Sequence, residues 1–127
     1  MPVQLNHTIV LAKDNEASAR FYAEVLGLTI AGRLGPFVAV ALDNDVTLDF
    51  MSAGDDPIPS QHYAFLVSDN EWDEIFARIQ ARGLDYWADP FYRHPGRTNT
   101  EYGGRGVYFD DPDGHRLEII TTDYELH

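Results

Sequence analysis

The chain has 127 residues, of which 44% are hydrophobic and 24% charged, a balance suited to one soluble domain with its own core. Nine basic against 21 acidic residues leave a formal charge of −12, which disfavours nucleic acid and anionic membranes as partners and favours cations. With no cysteine, disulfides, thiolate zinc sites and cysteine nucleophiles are excluded; with no long apolar run and no leader-like N-terminus, the expectation is a cytoplasmic protein.

In chain order, the apolar run Thr8 to Ala12, headed by His7, predicts a first strand. Asp14 or Asn15 can cap a helix that runs to about Leu26 and stops at Gly27, with Ala17, Phe21 and Val25 forming its apolar stripe. Thr29 to Arg33, Phe37 to Leu42 and Val46 to Met51 predict three further strands, separated by Gly35-Pro36 and Asp43-Asn44-Asp45. The stretch from Ser52 to Ser60 is linker-like, rich in Gly, Asp and Pro, and places a first module at about residues 1–53, a linker at 54–59 and a second module at about 60–127.

After the linker the pattern restarts. His62 heads another apolar run, Ala64 to Val67, and Asp69 or Asn70 caps a helix ending at Gly83. Trp72, Ile75, Phe76 and Ile79 supply its buried face. A long loop, Ala88 to Gly104, separates this helix from a C-terminal hairpin. There Gly106 to Phe109 and His115 to Thr122 flank the turn Asp111-Pro112-Asp113-Gly114. At an offset of 55 positions, residues 7–21 and 62–76 share six identities in fifteen, among them His7 with His62 and Phe21 with Phe76. Leu48-Asp49-Phe50 then matches Leu117-Glu118-Ile119. The reading is an α+β fold of two βαβββ modules related by a pseudo-twofold, with a curved mixed sheet enclosing a cleft.

A duplication of this kind brings equivalent positions together, so His7, His62, Glu118 and Asp49 are the candidates for one site. Glu118 is the residue that most needs explaining, since a carboxylate between Leu117 and Ile119 in a strand requires compensation. Two histidines with one or two carboxylates form a ligand set for a divalent metal: iron, manganese, nickel or zinc. The structural alternatives are strand-end histidines bonded to backbone, and a Glu118 paired with Arg116 or Arg105. His94, His115 and His127 lie in a loop, beside a turn and at the terminus, and are not expected to be ligands.

The motifs Asn6-His7-Thr8, Phe21-Tyr22 with Leu26-Gly27, His62, and Asp111-Pro112-Asp113-Gly114-His115-Arg116-Leu117-Glu118 resemble those of the vicinal oxygen chelate superfamily. That superfamily groups glyoxalase I, extradiol dioxygenases, fosfomycin-resistance thiol transferases and bleomycin-resistance proteins. The resemblance spans nearly the whole chain and implies metal ligation by His7, His62 and Glu118. Glyoxalase-like members place a fourth ligand, a glutamate, where this chain has the shorter Asp49. That makes Asp49 a candidate to hold a metal-bound water or to touch substrate. Loops of the second module line the site in this family, which makes Tyr102 a candidate acid or hydrogen-bond donor and Arg97 and Tyr108 candidate substrate contacts, with Arg93 and Arg105 nearby.

The resemblance further implies a homodimer and a small-molecule substrate. The functional expectation is a small metal-dependent enzyme, dioxygenase-like or glyoxalase-like, that chelates adjacent oxygens of a small organic substrate or intermediate. The rival is a metal-free dimer that sequesters a drug in the manner of bleomycin-resistance proteins, favoured by the acidic charge and the supply of aromatic residues and opposed by the complete ligand triad.

Overall fold

A computed structural model describes residues 2–123; His127 therefore lies outside the described residues. The chain divides into two compact units, one ending at Pro59 and the other beginning at Ser60. Each contains a four-stranded mixed sheet and one helix of more than ten residues.

The first unit runs β1 (His7–Ala12), α1 (Asn15–Leu26), β2 (Thr29–Leu34), β3 (Phe37–Ala41) and β4 (Thr47–Ser52), with spatial order β1-β4-β3-β2. Asp14 caps α1 by accepting from the N–H groups of Glu16 and Ala17, and Gly27 closes it at φ 71°, a left-handed conformation that favours glycine. β1 lies parallel to β4, which pairs antiparallel with β3. One face of this sheet carries Val10, Ala12, Val38, Val40, Leu48 and Phe50, all buried. Helix α1 packs on it, with the Tyr22 and Phe50 rings 4.7 Å apart edge to face. The opposite face carries His7, Ile9, Ala39 and Asp49, placed there by the alternation of side chains along paired strands.

The second unit repeats the scheme: β5 (His62–Leu66), α2 (Asp69–Ala81), β6 (Tyr86–Trp87), β7 (Gly106–Asp110) and β8 (Arg116–Ile120), with order β5-β8-β7-β6. Ser68 caps α2, rather than the expected Asp69 or Asn70, because Ser68 and Glu71 complete a capping box in which each side chain takes the other's backbone N–H. Trp72, Ile75 and Ile79 are buried as the periodicity required. Phe76 meets Tyr86 of β6 at 5.0 Å, and Arg105 fastens the start of α2 through Asp69 and Asp73 while lying over the Trp72 ring. β6 is only two residues long, since the chain leaves the sheet at Ala88 for the loop that carries the 3-10 turn Glu101–Gly103. The last strand is shorter than expected and ends at Ile120.

The hairpin turn is held by more than its proline and glycine. Asp111, buried within it, accepts from the N–H groups of Asp113 and His115 at 2.9 and 2.8 Å, while Gly114 takes φ 85°. Among the described residues no helix is long and apolar enough to cross a membrane.

Candidate metal centre

The register of the second sheet decides which side chains share a face. Glu118 stands opposite Ala64 on one side and Tyr108 on the other, and His62 stands opposite Arg116. Alternation therefore puts His62, Glu118, Tyr108, Arg116 and Asp110 on one face, with Trp87 beside Tyr108. Val107, Phe109, Leu117 and Ile119 occupy the other and are fully buried.

Glu118 is 3% exposed, and His62 Nε2 lies 3.1 Å from its Oε1. The other ring nitrogen, Nδ1, lies 3.1 Å from the Arg116 carbonyl oxygen. A carbonyl only accepts, so Nδ1 carries a proton and donates it. In a neutral imidazole this leaves the Nε2 lone pair aimed at a carboxylate, and two lone pairs do not attract. The contact needs a proton or a cation between the two atoms: a second proton on His62, a proton on Glu118, or a metal ion. A spacing of 3.1 Å is open to two donors that share one divalent ion at about 2.1 Å each, so the pair fits a metal. Tyr108 stacks on the His62 ring with centroids 6.0 Å apart and planes 27° apart, holding the imidazole from one side.

Arg105 is engaged by Asp69, Asp73 and Trp72, and Arg116 by Asp110, the Pro90 carbonyl and the Tyr92 ring. This second group was not apparent in the sequence. Tyr92 donates its hydroxyl to Asp110 at 2.8 Å, and its ring also meets Trp87 at 4.5 Å. Desolvation first, and then the bond to Asp110, raise the Tyr92 phenol above its ordinary value. The period-two alternation of β8, which puts Arg116 beside Glu118, was the available signal.

Asp89 orders the loop that carries Tyr92. Its carboxylate accepts from the N–H groups of Phe91, Arg93 and His94. Partial desolvation pushes this carboxyl up, but the three N–H groups together outweigh it and hold it below its ordinary value. His94 thus serves the loop through its backbone. Arg97 is exposed, and Tyr102 is half-exposed at φ 59° within the 3-10 turn.

In the first unit His7 is exposed at the head of β1, and its Nδ1 donates to Asn6 Oδ1 at 2.7 Å. Its Nε2 is thereby left as the electron-pair donor, the same arrangement as in His62. Asp49 is half-buried, accepts from the Thr47 hydroxyl at 3.0 Å, and pairs with Ile9, two residues beyond His7. Glu118 pairs with Ala64, two residues beyond His62. The two carboxylates are therefore equivalent positions in the two sheets. Among the described residues no group of three or more His, Asp or Glu side chains is gathered around one point; the structure brings His62 and Glu118 together as a pair.

Two βαβββ units, each with a histidine heading its first strand and a carboxylate on its last, repeat one arrangement along the chain. The model of the glyoxalase/bleomycin resistance protein/dioxygenase superfamily matches residues 4–119, and the chain belongs to that superfamily. It is similar to the solved structure of oxidase ChaP-H1, with 61% identity over 98% of this chain and 100% of that one and a TM-score of 0.95. Oxidase ChaP-H2 is 55% identical over 98% of this chain and 97% of that chain, also with a TM-score of 0.95. The glutathione transferase FosA of Serratia marcescens is 30% identical over 121 residues, covering 91% of this chain and 78% of that protein.

Proposed function

We propose that the protein is a metal-dependent enzyme that carries out oxygen chemistry on a small organic molecule bearing adjacent oxygen atoms. The observation that carries the reading is the buried Glu118 carboxylate facing His62 Nε2 while His62 Nδ1 is committed to a carbonyl. The names of the two oxidases that resemble the chain at 61% and 55% identity favour oxygen as the co-reactant over thiol transfer.

In this reading His62, Glu118 and His7 would hold a divalent ion, which would supply Lewis acidity toward paired substrate oxygens. The chain's own residues do the rest. The Arg116 carbonyl and the Tyr108 ring fix the orientation of the His62 imidazole. Asn6 does the same for His7. Asp49, one methylene shorter than a glutamate and bonded to Thr47, accepts a proton or orients a water or substrate hydroxyl. Tyr102 offers a phenol from the loop and Arg97 a cation for substrate oxygens. A homodimer completes the proposal, because β1 and β2 in one sheet and β5 and β6 in the other are edge strands.

The test is to load metal-free protein anaerobically with Fe(II), add catechols and other compounds with adjacent oxygens, and follow oxygen uptake. Uptake that depends on metal and is lost in His7→Ala and Glu118→Gln supports the reading. A protein that is purified without metal, takes up no oxygen and binds an aromatic drug equally well with Glu118→Gln is a sequestering protein, and the proposal falls.

A further inference from the structure

His115, beside the turn and not expected to be a metal ligand, is 1% exposed in the midst of the hairpin. Its Nδ1 lies 3.0 Å from the backbone nitrogen of Gln61, the residue immediately before His62. A backbone N–H only donates, so Nδ1 is an acceptor and the ring proton sits on Nε2. The same short stretch is held twice more. Arg116 N–H donates to the Gln61 carbonyl at 2.8 Å, and the Ser60 hydroxyl donates to the Gly114 carbonyl at 2.7 Å. Residues 60–61 are thus tied to 114–116 just ahead of the strand that delivers His62. Of these ties, the one to His115 is made by a side chain whose own position is fixed. Its backbone N–H donates to buried Asp111 at 2.8 Å, and Tyr63 packs edge-on at 5.7 Å.

We propose that His115 is a positioning residue for the metal centre: through its bond to the Gln61 N–H it sets where the β5 strand enters the sheet, and so aims His62 Nε2 at Glu118. The geometry of the pair is sensitive to this. His62 Nδ1 must reach the Arg116 carbonyl and Nε2 must reach Glu118 together, each at 3.1 Å, so a slip of β5 against β8 breaks both. An apolar residue at position 115 would take this acceptor away from the Gln61 N–H, whereas asparagine, whose Oδ1 can stand where Nδ1 stands, would still accept it. The inference rests on the reading of His62 and Glu118 as metal ligands.

The experiment uses the full chain as wild type, His115→Asn, His115→Leu and Gln61→Pro, the last of which removes the donor and leaves His115 in place. Imidazole nitrogen spectra of metal-free protein report the tautomers, and calorimetric titration with Zn2+ alone reports affinity. In wild type, His115 should carry its proton on Nε2 and His62 on Nδ1. His115→Leu and Gln61→Pro should each lose the wild-type signal of the protonated His62 Nδ1 and weaken Zn2+ binding by about 10-fold or more, the range seen when residues supporting a ligand are removed. His115→Asn should keep both properties. A folded His115→Leu with unchanged His62 signals overturns the proposal, and so does a wild-type His115 protonated on Nδ1, a result that stands even where the variants fail to fold. Absence of Zn2+ binding in wild type removes the metal reading, while the His62 Nδ1 signal in the variants still decides whether His115 positions it.

Discussion

Replacing Glu118 by glutamine keeps the shape of a side chain only 3% exposed and removes its charge, so it separates the cost of burying a carboxylate from its use as a ligand. Leu117 and Ile119, its neighbours in sequence, are fully buried. In metal-free protein Glu118 is partnered by His62 at 3.1 Å, and the substitution trades that contact for relief of desolvation. These effects oppose each other, so stability without metal should change by no more than about 1 kcal/mol. With metal the balance is different. A ligand present at 100 times its Kd stabilises the folded state by about 2.7 kcal/mol. If glutamine weakens Zn2+ binding about 100-fold, the same concentration equals the new Kd and contributes only about 0.4 kcal/mol. The difference, about 2.3 kcal/mol, corresponds to roughly 10 °C in Tm for a chain of this length. Thermal unfolding of both proteins with and without Zn2+ measures it. An equal rise in Tm on adding Zn2+ to the two proteins, or no rise in wild type, would refute Glu118 as a ligand.

Three further outcomes are expected. Asp89 holds three N–H groups with a carboxyl depressed below its ordinary value, so its contribution is complete above the ordinary aspartate pKa near ~3.9 and is lost as pH falls through its lower folded value. Amide exchange in residues 89–95 should therefore accelerate below about pH 4, and Asp89→Asn should show the acceleration already at neutral pH. Ser68→Ala removes one half of the α2 capping box and should lower stability by about 1 kcal/mol in urea unfolding, against little effect for Asn70→Ala. Sedimentation at micromolar concentration should give a dimer; a monomer at that concentration counts against a homodimer.

The fold was readable because the apolar periods were regular and the two halves repeat. Gly27, Asp14 and the Trp72, Ile75, Ile79 stripe each do what a local rule assigns them. The cap of α2 was missed by one residue, since a run of Ser68, Asp69 and Asn70 offers three competent caps and only the reciprocal bond with Glu71 selects among them. The pairing of Leu48-Asp49-Phe50 with Leu117-Glu118-Ile119 is matched by the registers, where each carboxylate sits opposite the second residue after its module's histidine. What could not be read was the loop from Ala88 to Gly104. Its order comes from Asp89 on three amides and from Arg116 on Pro90 and Tyr92, contacts between residues up to 26 positions apart with no periodic signature. His115 escaped for a related reason. Its role depends on a backbone N–H 54 residues away, and a side-chain pattern does not reveal which amides the sheet leaves unpaired.

The duplicated halves also show how equal positions come to do different work. Both histidines commit Nδ1 and present Nε2, His7 through Asn6 and His62 through the Arg116 carbonyl. The carboxylates have diverged. Glu118 is buried and faces its own module's histidine, whereas Asp49 is shorter, half-buried and bonded to the Thr47 hydroxyl. A hydroxyl bond stabilises a carboxylate without an ion, so Asp49 has a partner in the metal-free protein that lowers its need for one. Thr47→Val should therefore affect Asp49 alone: the carboxylate loses a donor while the His62–Glu118 pair, in the other unit, keeps its geometry. If Asp49 orients a proton or a substrate hydroxyl, turnover should fall while Zn2+ affinity holds. A loss of Zn2+ affinity in Thr47→Val comparable to that in Glu118→Gln would instead make Asp49 a direct ligand, and the two halves of the chain would be equal contributors to the ion.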